Sequence, residues 1–216
     1  ASVLRGGAWN LGSLLVPQLY TAVLSIAAAR FLGPDDFGRQ SFIAFTQISA
    51  VLIITAGVTE ALIRFVGDSM GRGDHAAARG LFLWATRIEV IGGLIGAAIL
   101  AAVGLTGSEL RAAWFFAAIA TALNSSYAAF RAFLEGLQSW KLPAVVGLVT
   151  GAASTAATVA VLAAGGGIVG MFAVEAAAAA ACLLTLGPAA LRAQRRLGAA
   201  PHLTLSYRSE VLRYAL

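Results

Sequence analysis

Six long apolar runs, separated by short stretches that hold most of the charge, leave this chain few ways to fold. They cover roughly residues 9–31, 40–66, 80–105, 110–135, 142–164 and 167–190. Each is near or above the ~20 residues a helix needs to cross a hydrocarbon core about 30 Å thick. Open strands are excluded there, because lipid leaves their unpaired backbone groups unsatisfied. Barrel strands would alternate apolar and polar residues over about ten positions. That alternation is absent, and the run Ala176 to Ala181 favours helix. A soluble bundle is excluded by composition. Charged residues are 12% of the chain, against about 25% in soluble domains, so too few polar groups remain to cover outer faces. The expected fold is an all-α integral membrane protein, a bundle of six transmembrane helices.

The charges predict its orientation. With the N-terminus cytoplasmic, the inner side carries Arg5, Arg72, Arg79, Arg131, Lys141, Arg192, Arg195, Arg196 and Arg208. The outer side holds Arg30, Arg39 and Arg111 near span ends, and its Gly165-Gly166-Gly167 turn has none. Positively charged loops stay inside, so both termini are expected in the cytoplasm. Trp9, Trp114 and Trp140 fall near expected span ends, where indole rings favour the interface. The net charge of +5 then reflects loop topology and anionic lipid. No basic patch with interleaved aromatics points to nucleic acid.

Several chemistries lack their residues. Cys182 is the single cysteine, inside the sixth run, and His75 and His202 are not paired in a ligand pattern. No metal or other cofactor is expected. No Gly-rich phosphate loop precedes a lysine and serine, and Lys141 is the single lysine. No Ser–His–acid grouping is visible, so an enzyme is not expected. The stretch 191–207 is polar, contains Pro201, and reads as a cytoplasmic linker. Residues 208–216, closing on Arg213-Tyr214-Ala215-Leu216, read as the start of a seventh helix. The chain begins at Ala1 rather than Met, and a second half is expected downstream.

Helix boundaries carry a sharper pattern. Ala29-Arg30-Phe31-Leu32-Gly33-Pro34-Asp35-Asp36-Phe37-Gly38 is a helix stop followed by a restart. Gly33 ends one helix, Pro34 cannot continue it, and Asp35 or Asp36 can cap the next. The second run closes on Arg64-Phe65-Val66, ahead of the polar turn Gly71-Arg72-Gly73-Asp74. With Trp9 at the start of the first run, these features resemble the polysaccharide-transport flippases. They are similar to the O-antigen (Wzx-like) branch of the multidrug/oligosaccharidyl-lipid/polysaccharide exporter superfamily, whose drug-exporting members are the MATE-like transporters. The resemblance covers the whole chain in layout, with specific motifs in about 30 residues.

That resemblance implies twelve to fourteen helices in two pseudo-symmetric six-helix lobes, of which residues 1–190 would be the N-terminal one. It implies flipping of a lipid-pyrophosphate-linked sugar by alternating access, usually driven by a proton or sodium ion gradient. It would place the chain in a bacterial inner membrane, in lipopolysaccharide or other surface polysaccharide synthesis. Its partners would be the C-terminal lobe of the same protein, the bilayer and polysaccharide polymerase machinery. Two alternatives stay open: a cation or multidrug antiporter of the same superfamily, and a non-transporting scaffold or enzyme subunit.

Polar groups inside apolar runs are costly, so each is a candidate for function. At 100° per residue, Asn10, Pro17, Gln18, Thr21 and Ser25 share one arc of the first helix. That stripe either lines a water-filled path or bonds neighbouring helices. Pro17 would bend the helix on the same side, as in gated transporter helices. In the second run Arg39, Thr46, Gly57, Glu60 and Arg64 share a face. Glu60 and Arg64 are four apart, in the favourable order for an ion pair. Arg64 either holds a pyrophosphate with its planar fork or reaches the inner headgroups. Arg87 is a further candidate for the anionic substrate; Glu89, two residues on, faces another way. Asn124 heads a polar patch in the fourth run, and Arg131 and Glu135 close it as an interface pair. Glu175 lies roughly 12 Å into the sixth helix, where a carboxyl is costly to ionise, and is an ion-coupling candidate beside Glu60. The Gly92/Gly96 and Gly147/Gly151 spacings predict close helix packing.

Overall fold

The computed structural model describes residues 2–55, 57–106, 109–198, 200 and 214, with side chains of 2–15, 17 and 53–55 outside the description. Among these residues the protein is all-helical and has no strand. Its helices are α1 (Ser2–Thr55), α2 (Val58–Gly71), α3 (His75–Leu105), α4 (Arg111–Gly136), α5 (Lys141–Ala163) and α6 (Gly167–Arg196). Of the described helices α3, α5 and α6 are long and apolar enough to cross a membrane. The last four helices overlap the expected runs, with α3 starting earlier, at His75, and α6 continuing to Arg196 through the start of the expected linker. Of the expected seventh-helix segment, Tyr214 alone lies within the described residues. Trp9, Asn10, Pro17 and His202 lie outside the described side chains, and so does Arg208.

The long first helix is two legs. Gly33 takes φ 75 and ψ 171, a left-handed φ open to glycine and strained for other residues. Ala27, Ala28 and Leu162 form a cluster there, with Leu32, Phe37 and Val159 packed on it. Residues on both sides of Gly33 therefore meet the same end of α5, and the chain reverses as the Gly-Pro pair predicted. At the same end of the bundle Arg39 lies 3.6 Å from Glu109, in the α3–α4 connection.

The expected second span, 40–66, is not one helix. It breaks where α1 ends at Thr55, Gly57 takes φ 71, and α2 begins at Val58. A lone glycine inside a helical pattern is usually tolerated, which hides such a break from the sequence. Helical phase does not carry across it, so the polar face expected from Arg39 to Arg64 is not one continuous stripe. The following turn behaves as written in the sequence: the Asp74 carboxylate accepts from the Ala77 N–H at 2.9 Å and caps α3.

The core sits among α2, α3, α4 and α6. Phe82 stacks on Phe133 at 4.2 Å between ring centres, with Leu62, Val66, Leu81 and Leu186 buried around them. A second cluster at the Gly33 end joins Ile43, Leu100, Trp114 and Phe172. Trp114, in the first turn of α4, is buried against Gly104 with the Phe42 ring edge-on at 6.0 Å. Trp140, by contrast, is exposed.

Candidate functional site

Polar side chains gather along the broken leg. On its upper piece, residues 34–55, Gln47 is buried and donates from Nε2 to Glu175 Oε1 at 2.9 Å. The same amide nitrogen reaches the Ala117 carbonyl at 3.4 Å. Glu175 is thus tied to the second leg across 128 residues of sequence. On the lower piece, Thr59 lies two residues past the break and donates to Glu89 Oε1 at 3.2 Å. Glu89 is 1% exposed, the most deeply buried acid among the described residues. No ion pair reaches it among those residues.

Glu89 is the functional candidate that the sequence reading set aside. Its spacing from Arg87 ruled out a local pair, and nothing local distinguished it further. The structure separates the two: Arg87 is exposed and Glu89 is inside. The available signal was the bare cost of a carboxylate within an apolar run.

Arg64 and Glu60 are both exposed on α2, and no ion pair joins them among the described residues. The expected pair does not form. The Arg64 guanidinium lies over the Tyr214 ring at 4.4 Å from its centre, and 5.8 Å from that of Phe65. The two rings meet edge to face at 5.8 Å. A guanidinium held on an aromatic face keeps its N–H edge available for phosphate or carboxylate oxygens. Arg39 is differently placed, 3.6 Å from both Asp36 and Glu109 and exposed.

Gln18, Thr21 and Ser25 are exposed along the first leg, while Leu24 is half-buried and Ala28 buried. Tyr20 fixes that leg by donating to the Leu148 carbonyl at 3.1 Å. Asn124 is half-buried in α4. Arg131 donates from Nε to Glu135 at 2.7 Å, four residues on as the spacing predicted. Glu135 is nonetheless buried, so the pair is only half solvated. The structure therefore gives two polar regions: exposed groups on the first leg and α2, and two acids, buried Glu89 and half-buried Glu175, bonded to either side of the Gly57 break.

A family described as "Polysaccharide biosynthesis protein" matches residues 3–206. The chain belongs to this family. Its members include the Wzx-like flippases, so the resemblance carried by the Arg30–Gly38 motif is confirmed at family level. The match runs from the first leg through α6, so both polar regions lie within the family's fold. No curated protein and no solved structure matches the chain.

Proposed function

We propose that the chain is the N-terminal lobe of a flippase for lipid-linked oligosaccharides, working in envelope polysaccharide synthesis at a bacterial inner membrane. The observation that carries this reading is the family match over 3–206, in a family of flippases tied to polysaccharide synthesis. In this reading six legs cross the bilayer: the two arms of α1, with α2 completing the second, and then α3 to α6. The Gly71–Asp74 turn, Lys141 and the Arg192–Arg196 end of α6 face the cytoplasm. Their basic residues support that orientation. At the opposite end Arg30, Arg39 and Arg111 are offset by Asp35, Asp36 and Glu109.

Arg64 is the substrate contact of this reading. It is exposed, backed by aromatic rings, and on the cytoplasmic half of the second leg, where a lipid-pyrophosphate would load. Gln18, Thr21 and Ser25 offer hydroxyls and an amide to sugar along the first leg, with Pro17 as its bend. Glu175 is the coupling group, because losing or gaining a cation there changes its bond to Gln47 and so the hold on the second leg. Glu60 and Arg87, both exposed, flank the same loading region. Arg39 already has two acidic neighbours and is assigned to the outer end of the bundle.

The test is flipping of a fluorescent lipid-linked sugar by the full-length protein in liposomes. Loss of charge-assisted hydrogen bonds to a phosphate predicts that Arg64→Ala lowers the rate by about tenfold or more. Glu175→Gln should remove dependence on an imposed proton or sodium gradient. Undiminished flipping in Arg64→Ala would sink the substrate assignment, and flipping indifferent to both gradients in the unmodified protein would sink the coupling.

A further inference from the structure

Glu89 has more around it than one hydrogen bond. Thr86 is three residues earlier on α3, on the same helix face, and helical side chains lean toward the preceding turn. Its Oγ1 is buried and has no hydrogen-bond partner among the described residues. One turn the other way is Gly93, where a Cβ would meet Ser125 at 2.7 Å from its Cβ and 3.0 Å from its Oγ. Ser125 is 2% exposed, and its Oγ also lacks a partner among the described residues. Thr59 supplies a third hydroxyl, 3.2 Å from the carboxylate. The Gly57 break adjoins it, and a helix end leaves its last carbonyls outside the intrahelical ladder.

We propose that Glu89, Thr59, Thr86 and Ser125 form a binding site for a small monovalent cation such as sodium, set under the break in the second leg. Buried polar groups are satisfied in native proteins, by protein, by ordered water or by an ion. The groups here are a carboxylate and hydroxyls, hard oxygen donors that suit a hard ion. Charge selects the valence. One carboxylate neutralises one positive charge, whereas a divalent ion would leave net charge in an apolar interior. A proton alone would neutralise Glu89 but leave the Thr86 and Ser125 hydroxyls unserved. Broken helices in transporters place carbonyl ends and side-chain oxygens around ions in this way. An ion bound here would fasten α3 to the start of α2 and set the angle at Gly57. Use of that ion to drive transport rests on the flippase reading; the site itself does not.

The experiment measures ²²Na⁺ binding to the whole chain in nanodiscs, without any lipid-linked sugar. The wild type should bind one ion saturably. Glu89→Gln should weaken binding at least tenfold, and Thr59→Val and Thr86→Val at least threefold each. Asp68→Asn, an exposed acid on the same helix as Thr59, should bind as the wild type does. Helical circular dichroism and a single elution peak qualify each variant as folded. If Glu89→Gln does not fold, the two threonine variants read the same site. The proposal is overturned by absence of saturable sodium binding in folded wild type. Unchanged binding in both threonine variants overturns it too, as does loss in Glu60→Gln with none in Glu89→Gln. Flipping that persists without sodium binding removes this site alone. Sodium binding in a protein that flips no sugar removes the flippase reading alone.

Discussion

The two halves of this bundle are held by different means. Between α2, α3 and α4 the helices press backbone to side chain at glycines. A Cβ at Gly93 would fall 2.7 Å from Ser125, at Gly104 2.7 Å from Trp114, and at Gly136 2.8 Å from Val66. The legs of α1 have one such approach, Tyr20 on Gly151, and small clusters at Ala27, Ala28 and Ile43; hydrogen bonds add to these, among them Tyr20 to Leu148 and Gln47 to Glu175. Their other faces expose Leu19, Val23, Ile26, Phe42, Phe45, Ile48 and Leu52. The helices α2–α4 and α6 form the closely packed scaffold of the bundle, and α1 carries a long row of exposed apolar side chains.

The largest effect that tests this comparison lies in the scaffold. Gly136→Ala puts a methyl against Val66 and 3.1 Å from the Ile63 carbonyl, which is backbone and cannot swing aside. Overpacking of this kind costs about 1–3 kcal/mol, read as a lower unfolding temperature in detergent. Gly147→Ala on α5 has open space within 4 Å and should leave stability unchanged. Equal stability of the two variants would break the distinction. Gln47→Leu comes next. It removes the bond to Glu175 and leaves a half-buried carboxylate without its donor, for a loss of about 1 kcal/mol. Its sharper signature is faster cysteine labelling on residues 34–55 with none on α3 or α4. Tyr20→Phe is the mildest. It deletes one half-buried hydroxyl bond and keeps the ring on Gly151, so about 1 kcal/mol is expected.

Legibility from sequence followed the range of the interaction. The Gly33-Pro34 reversal was readable because φ 75 and the missing proline donor are local matters. The Asp74 cap and the Arg131–Glu135 pair were readable for the same reason, each acting within one helical turn. The break at Gly57 was not, since nothing beside it forbids helix; it becomes visible when Thr59 is found bonded to Glu89 thirty residues away. Of the glycine spacings, Gly151 does seat Tyr20, yet Gly147 has nothing near it, and on α3 a close approach falls at Gly93. Spacing marks a smooth face but does not say which neighbour comes to it.

By itself, the sequence determined that the chain is helical, apolar along its length, and reversed at short polar turns. Those properties follow from backbone hydrogen bonding and hydropathy, which each segment carries alone. Only the tertiary structure decided which acids are buried, that Arg64 rests on Tyr214 instead of Glu60, and that Glu89 and Glu175 bond to opposite sides of one broken leg. The physical reason is that burial and partnership belong to pairs of helices. In an all-apolar chain every face is hydrophobic enough to be inside, so the pattern that would choose the inner face is missing.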